Sequence, residues 1–332
     1  MRRISEGYCL KYFLIIWFAM VLLTGCGLDT KEASGTGVYF DTVVDIKVCG
    51  DDADRLLKEC FDICNDMEKT LPAHDEESEL YKLNHRDLGQ QEIEVSEDLR
   101  DCISKGLYFS EITDGAFDIT VFPLRQLWDF ESEHPSLPAE DDIEKALEKV
   151  DYRKVHVNGN IISFDDPDTM IDAGGVAKGY ISAKLKAYLI SEGCTSALIN
   201  LGGNVSAVGK KPDGSSWNVG IQEPFADRGT VAETVKIDNG CVVSSGTYER
   251  YFTVEGKQYH HILDTMTGYP VETSLEQATV IGEDDALCDA LSTICMILGR
   301  EKAESLIERE GWDVTVLFMD EDTGKAWYGE RP

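Results

Sequence analysis

Two patterns of apolar residues alternate along this chain. In the first, apolar residues recur every three or four positions, as on one face of a helix. Residues 52–70 show it clearly, with Leu56, Leu57, Cys60 and Ile63 on one side. Ser96, followed by two acidic residues, is typical of an N-cap, the residue whose side chain caps the start of a helix. The pattern predicts helices over residues 52–70, 96–113, 140–150, 177–189, 284–298 and 301–309.

The second pattern consists of short apolar or alternating runs bounded by glycine and polar turn residues, which is typical of strands. These runs are predicted over residues 38–48, 154–157, 161–164, 196–200, 204–209, 217–222, 230–237, 241–245, 250–254, 260–263, 276–281 and 314–319. Helices and strands are interleaved without regular βαβ alternation. The sequence therefore predicts an α+β fold of mixed or antiparallel sheets with packed helices, rather than a doubly wound parallel sheet.

The N-terminus has the organisation of an export signal. Basic residues precede the apolar run 13–23, and small residues follow it. The run is too short for a comfortable membrane-spanning helix. Leu23-Thr-Gly-Cys26 resembles the bacterial lipoprotein processing box, in which the cysteine is lipidated; a plain secretion signal is the alternative. We expect a signal peptide at 1–25, a lipidated tether at 26–37, a folded domain at 38–332, and a location on the cell membrane, lipid-anchored and facing outside the cytoplasm.

The net charge and the cysteine pattern limit the kinds of ligand and metal site that this protein can have. The formal net charge is −31, so the surface repels nucleic acid and anionic lipid alike. Membrane attachment must then come from lipid chains, and an anionic ligand needs local help from lysine, a helix N-terminus or a metal ion. The cysteines beyond Cys26 form no CxxC and no Cys/His cluster, which argues against a zinc site, and we assign no disulfide.

One segment carries the strongest chemical argument. Residues 286–298 are apolar nearly all round, so the helix they form should be buried. It contains one carboxylate, Asp289, with Thr293 one turn further on and therefore beside it. A buried carboxylate is normally paired or bound to a metal, and these two oxygens suit Mg²⁺. The alternative is a salt bridge to a distant basic residue, with Thr293 bonded back to its own helix.

A second segment, residues 171–180, combines an acidic residue, two glycines and a lysine at a predicted helix start. Glycines allow a ligand to approach the backbone, and the free N–H groups of a helix start attract anions. Lys178 adds a positive charge, and Asp172 could accept a hydrogen bond from a sugar or a base. A tight turn before an ordinary helix is the alternative.

Four further segments hold chemistry that is weak when each is taken alone. Residues 260–270 bring His261, a usual general base near neutral pH, and Asp264 to the end of a strand. Residues 115–120, 199–204 and 244–250 place aromatic, amide and carboxylate groups beside glycine turns. Each of these could be ordinary turn chemistry.

Together and in this order, the segments resemble the ApbE family. The matching motifs are Gly115-Ala-Phe-Asp-Ile-Thr, Asp172-Ala-Gly-Gly-Val-Ala-Lys-Gly-Tyr, Ile199-Asn-Leu-Gly-Gly-Asn, Ser245-Gly-Thr-Tyr-Glu-Arg, His261-Ile-Leu-Asp-Thr-Met-Thr-Gly-Tyr-Pro and Asp289-Ala-Leu-Ser-Thr. Members are FAD:protein FMN transferases, often bacterial lipoproteins. The resemblance runs from about Tyr39 to Met319 and implies a single, T-fold-like catalytic domain.

The resemblance implies an activity and its site residues. The family moves FMN from FAD to a threonine hydroxyl of an exported protein and releases AMP, with Mg²⁺ at the pyrophosphate. His261 corresponds to the proposed base, helped by Asp264. The implied metal ligands are Asp289, Thr293 and the carbonyl of Gly175. The implied FAD site comprises Phe40, His74, Ala116, Phe117, Asp118, Asp172, Lys178 and Leu263.

The chain also departs from the family pattern. Thr265-Met266 replaces a Pro-Arg or Pro-Lys pair and removes a local positive charge, Ala183 stands where Asp is frequent, and Phe40-Asp41 replaces Met-Gly. The implied partner is a flavin-carrying subunit of a membrane redox complex, modified within a short Ser/Thr motif. Two alternatives stay open: a Mg²⁺-dependent FAD pyrophosphatase giving FMN and AMP, and a non-catalytic FAD-binding lipoprotein.

Overall fold

Fifteen strands, eight α-helices and one short 3-10 helix (Tyr152–Lys154) occur in this computed structural model, which describes residues 31–87, 89–130, 132 and 134–332. The expected signal peptide and Cys26 lie outside the described residues. The strands are β1 (Glu32–Tyr39), β2 (Thr42–Cys49), β3 (Glu92–Glu94), β4 (Val155–Asn158), β5 (Ile161–Phe164), β6 (Ala197–Leu201), β7 (Asn204–Val208), β8 (Trp217–Gln222), β9 (Val231–Ile237), β10 (Gly240–Gly246), β11 (Tyr251–Val254), β12 (Lys257–His260), β13 (Leu275–Gly282), β14 (Thr315–Asp320) and β15 (Gly324–Tyr328). The helices are α1 (Ala53–Glu68), α2 (Glu79–Asn84), α3 (Glu97–Ile112), α4 (Phe122–Trp128), α5 (Glu140–Leu147), α6 (Ala177–Ser191), α7 (Asp285–Leu298) and α8 (Arg300–Glu310).

An eight-stranded sheet forms the centre of the part from Glu32 onward. Its strand order is β1-β2-β6-β7-β10-β13-β14-β15, and every neighbouring pair is antiparallel. Three small antiparallel sheets accompany it: β3-β5-β4, β8-β9 and β11-β12. Because the strands pair antiparallel and the helices pack against them, the predicted α+β class is confirmed.

The two faces of the central sheet are covered differently. Side chains from α1, α3, α6 and α7 join one large apolar core on one face. On the other face, the β8–β9 hairpin contributes Trp217, Val219, Ile221 and Val235 to a second core. Both faces of β13 are therefore covered, and six of its eight residues are buried. A third core joins α4 and α5 to the β11–β12 hairpin around Trp128.

Helix α7 is buried as its all-round apolar sequence predicts. Its first turn is capped by the Asp284 carboxylate, which accepts hydrogen bonds from the N–H groups of Ala286 and Leu287. Gly299 ends the helix with a positive φ of 74°. Asp289 on this helix is only 3% exposed.

The N-terminal boundary of the fold differs from the expectation. The expected tether reaches residue 37, but β1 begins at Glu32 and pairs with β2 along its whole length. The small residues there make room for α1, because a Cβ on Gly35 would lie 2.8 Å from the Phe61 ring. The single strand predicted over 38–48 is instead a hairpin, whose two-residue turn places Phe40 and Asp41 at φ 55° and 57°.

Other differences are local. Helices α2 and α4 and strands β3 and β15 are short elements that the pattern did not predict. In place of the strand predicted over 260–263, the structure has β12 at Lys257–His260. Leu263 makes only an isolated bridge with Pro270. The eight cysteines among the described residues are free and buried. In the same part of the chain, no helix has the length and apolarity needed to cross a membrane.

Helices α6 and α7 touch at Gly179. A Cβ there would lie 2.4 Å from the Asp285 carbonyl oxygen and 2.6 Å from the Asp289 Cβ. Only glycine allows this approach, so the residue sets the distance between the two helices that carry Lys178 and Asp289.

Replacing Gly179 with alanine should therefore lower the free energy of unfolding, measured by urea denaturation. Overpacking costs about 1–3 kcal/mol, and the better helix propensity of alanine returns only about 1 kcal/mol. The control is Gly89→Ala, because a Cβ on Gly89 meets no heavy atom within 4 Å. Equal stability of the two variants would show that the helices do not depend on this contact.

Candidate active site

A cavity of about 1180 Å³ lies among the turn of the β1–β2 hairpin, the N-terminus of α6, the β8–β9 hairpin and α7. It brings together residues from segments that are far apart in the sequence. Of the residues predicted for the site, eleven line this cavity: Phe40, His74, Phe117, Asp118, Asp172, Gly175, Lys178, His261, Leu263, Asp289 and Thr293. Ala116 and Asp264 are not part of its wall.

The Asp289 carboxylate is held at the N-terminus of α6. One oxygen accepts the Gly179 N–H at 2.7 Å, and the other accepts the Asn204 side-chain amide at 2.8 Å. Helix α6 has no side-chain cap of its own. Asp289 therefore caps a neighbouring helix, where the helix dipole also favours a negative charge.

Lys178 is the basic residue nearest this carboxylate. Its Nζ lies 3.8 Å from Asp289 Oδ1, beyond hydrogen-bond distance. The lysine side chain is 32% exposed, whereas the side chain of Asp289 is 4% exposed. Lys178 is thus close to Asp289 but does not form a hydrogen-bonded salt bridge with it. The lysine charge remains accessible from the cavity.

The groups around Asp289 match the chemistry of a hard cation. Thr293 lies one turn further along α7, and its hydroxyl lies 3.1 Å from the Ser245 hydroxyl on β10. Among the described residues, no group of three His, Cys, Asp or Glu side chains could hold a metal ion. A cation here would therefore depend on the Asp289 carboxylate, hydroxyl, main-chain and substrate oxygens, which is the set that Mg²⁺ accepts.

Gly175 lies in the turn that leads into α6. A Cβ on this residue would lie 2.7 Å from the ring of Phe117, so the ring packs directly on the glycine backbone. Phe117 itself is 7% exposed. The loop that carries Phe117 and the turn that carries Gly175 are therefore held against one another at the cavity wall.

Asp118 shapes the Phe117 loop from inside. Its carboxylate accepts hydrogen bonds from the N–H and hydroxyl of Thr120 and from the N–H of Tyr152. Burial raises the pKa of Asp118 against the opposing effect of these bonds. Ala116 donates its N–H to the Thr113 carbonyl. Within the predicted FAD site, these two residues thus order the loop that presents Phe117.

Asp172 is paired with an arginine that the sequence pattern did not single out. Arg125 Nη1 lies 3.0 Å and 3.2 Å from the two carboxylate oxygens, and the Gly174 N–H donates at 2.8 Å. Burial raises the pKa of Asp172, but Arg125 and these hydrogen bonds outweigh it and lower the pKa overall. Arg125 lies on α4, an unpredicted helix. No local signal connects it to Asp172.

His261 enters the cavity at the end of the β11–β12 hairpin. Its Nδ1 lies 3.3 Å from the Arg250 carbonyl oxygen. Since a carbonyl only accepts, Nδ1 carries the proton and Nε2 keeps its lone pair. Burial, with the nearby charge of Arg250, lowers the pKa of His261 to about 3.

Asp264 does not have the position predicted for it. Its carboxylate accepts the Met266 N–H at 2.8 Å, as in a turn closed by its own side chain. The group that orients His261 Nδ1 is the Arg250 carbonyl instead. The expectation that Asp264 assists His261 is therefore corrected, because the turn itself uses this carboxylate.

Phe40, His74 and Leu263 complete the wall. The Phe40 N–H donates to the Glu68 carboxylate at 2.7 Å, which holds the β1–β2 turn. His74 Nε2 lies 3.1 Å from Asp41. Leu263 is 6% exposed and packs in the core around Trp128.

Positive charge on the wall comes from more residues than the sequence indicated. Arg125, Arg228 and Arg250 line the cavity together with Lys178. Of these, Arg125 is paired with Asp172. The Thr265 hydroxyl donates to the Gly115 carbonyl at 2.6 Å and ties the His261 turn to the Phe117 loop.

The chain is similar in sequence and fold to known proteins. The FAD:protein FMN transferase of Treponema pallidum is 32% identical over 281 residues, covering 80% of this chain and 77% of that protein. The Escherichia coli K12 protein of the same name is 33% identical over 239 residues, covering 70% and 68%. The ApbE protein of Thermotoga maritima has a TM-score of 0.80 at 29% identity, over 91% of this chain and 97% of that one. The model of the ApbE family matches residues 40–318, and the chain belongs to this family.

Proposed function

We propose that this protein transfers the FMN part of FAD to a threonine hydroxyl of an exported acceptor protein and releases AMP. One observation carries the proposal: in a member of the ApbE family, one cavity holds Asp289 with Thr293, the accessible charge of Lys178, and a neutral His261. These are the groups that cleavage of a pyrophosphate by an oriented hydroxyl requires. The relatives described above are named for this activity.

The reaction exchanges one phosphorus–oxygen bond for another. The acceptor hydroxyl oxygen attacks the phosphorus of the FMN half, and the bond from that phosphorus to the bridging oxygen breaks. AMP leaves with the bridging oxygen, and the FMN half becomes a phosphoester of threonine. The hydroxyl proton goes to Nε2 of His261, which carries the free lone pair.

Charge on the phosphoryl oxygens must be compensated in this acidic protein. Lys178 and the N-terminus of α6 supply part of this compensation. Mg²⁺ at the pyrophosphate would supply the rest as a Lewis acid. Asp289 and Thr293 would hold it, with the carbonyl of Gly175, because all three residues lie on the cavity wall and offer hard oxygen ligands.

The N-terminal sequence supports a proposal for the location of the protein. We propose that the chain is exported, lipidated at Cys26 and anchored by lipid to the cell membrane, facing outside the cytoplasm. The support is the charged head, the apolar run and the Leu23-Thr-Gly-Cys26 box. The acceptor is then a flavin-carrying subunit of a membrane redox complex, on the same side of the membrane.

The direct test is incubation of the detergent-solubilised protein with FAD, Mg²⁺ and a flavin-free acceptor protein. Transfer adds one FMN group to the acceptor mass and releases an equal amount of AMP. Free FMN and AMP without an adduct would instead identify an FAD pyrophosphatase. Unchanged FAD would identify a flavin-binding protein without catalysis, and either result would overturn the proposal.

Two variants separate the cation site from the base. Asp289→Ala should abolish both the acceptor adduct and AMP release, because it removes the only carboxylate of the proposed cation site. His261→Ala should slow transfer by about 10²–10⁴-fold, the usual contribution of a general base, while FAD binding followed by flavin fluorescence survives. Normal transfer rates in either variant would remove the role assigned to that residue.

The pKa of His261 gives a pH prediction for the free enzyme. Because the folded pKa is lowered to about 3, the imidazole should stay neutral from pH 8 down to pH 5. The unfolded chain binds this proton below about pH 6.5, so His261 lowers the stability of the folded state as pH falls from there towards 3. Ring-proton NMR shifts of His261, assigned with His261→Asn, measure it. A midpoint near pH 6.5 would contradict the prediction.

A further inference from the structure

Three hydroxyl groups next to Asp289 form a continuous chain between the central sheet and α7. Ser292 Oγ lies 2.8 Å from the Asp289 carbonyl oxygen on the same helix. Ser245 Oγ, on β10, lies 2.8 Å from Ser292 Oγ. The Thr293 hydroxyl lies 3.1 Å from Ser245 Oγ. Ser292 is fully buried, whereas Ser245 and Thr293 reach the cavity wall.

The direction of every proton in this chain follows from its first member. The Asp289 carbonyl has no proton, so Ser292 donates its only one to that oxygen. Ser292 can then only accept in its contact with Ser245, and Ser245 is the donor there. With its proton used, Ser245 must accept from Thr293. The Thr293 proton therefore points towards Ser245 Oγ.

We propose that Ser245 and Ser292 are positioning residues that present the lone pairs of the Thr293 hydroxyl, not its proton, to the cation. The inference rests on the proposed use of Mg²⁺ at Asp289 and Thr293. In this role, neither Ser245 nor Ser292 contacts the metal; both act by orienting the Thr293 hydroxyl.

The neighbouring carboxylate makes this orientation matter. Thr293 lies one turn after Asp289 on α7, so a freely rotating hydroxyl would be drawn to donate its proton to that carboxylate. Such a bond would direct the hydroxyl proton towards the cation site, and it would occupy a lone pair of the carboxylate. The Asp289 oxygens already accept from Gly179 and Asn204. With the Thr293 proton held by Ser245, their remaining lone pairs stay available for a cation.

The test measures metal binding directly, without turnover. The detergent-solubilised full-length protein is mixed with FAD and no acceptor, and bound Mn²⁺ is determined by electron paramagnetic resonance. Mn²⁺ accepts the same oxygen ligands as Mg²⁺. Ser245→Ala should weaken Mn²⁺ binding about 10-fold, as losses around a ligand commonly do. Ser292→Ala should weaken it by a smaller factor, because Ser245 then keeps its hydroxyl but is free to turn.

The double variant tests the mechanism. In a Thr293→Val background, Ser245→Ala should cause no further loss of Mn²⁺ affinity, because the residue acts through the threonine. The control is Ser104→Ala, which removes a helical serine hydroxyl bonded to the Arg100 carbonyl on α3 and should not change Mn²⁺ affinity. Flavin fluorescence with EDTA checks that each variant still binds FAD. If Ser245→Ala does not fold, the same comparison is made with Ser292→Ala and with the double variant of Ser292→Ala and Thr293→Val.

The outcomes are distinguishable from failure of the proposed function. Wild-type Mn²⁺ affinity in the serine variants, with weakened affinity in Thr293→Val and Asp289→Asn, would overturn the hydroxyl chain alone. Additive losses in the double variant would also overturn it. Wild-type affinity in both Thr293→Val and Asp289→Asn would show that the cation binds elsewhere, and the proposed site would fall together with the inference.

Discussion

The contact of the Asp289 carboxylate with the N-terminus of α6 is the constraint on which the site depends. A buried carboxylate is costly unless it is hydrogen-bonded or paired. Here the Gly179 N–H and the Asn204 amide satisfy it, so α6, α7 and β7 are joined at one point. The same contact requires glycine at position 179. It thereby places Lys178 and the Gly175 turn beside the helix face that carries Thr293.

The rest of the cavity is assembled around this point by loops that bond to one another. Asp118 orders the loop that presents Phe117, and that ring packs on Gly175. Thr265 ties the turn after His261 to the same loop. The result is that the base and the cation side of the site belong to one connected wall. Loops on a rigid sheet are a common way to hold catalytic groups.

Much of this arrangement was predictable from the sequence, and the missing parts have physical reasons. The run 286–298, apolar all round with one acid in it, indicates both burial and a functional carboxylate, and α7 confirms the burial. The β1–β2 hairpin was missed because its turn uses Phe40 and Asp41 at positive φ, without the glycine that usually marks such a turn. Arg125 was missed because its partner, Asp172, lies 47 residues away on another element. Such pairs depend on the tertiary fold.

The proposed chemistry requires a divalent cation bound between the Asp289 carboxylate and the Thr293 hydroxyl. The most direct measurement is a crystal structure of the protein with FAD and Mn²⁺, in which anomalous scattering locates the metal. We expect an anomalous peak within coordination distance of both oxygens, with Lys178 turned towards phosphate. No peak at this position, with Lys178 in direct contact with Asp289, would contradict it.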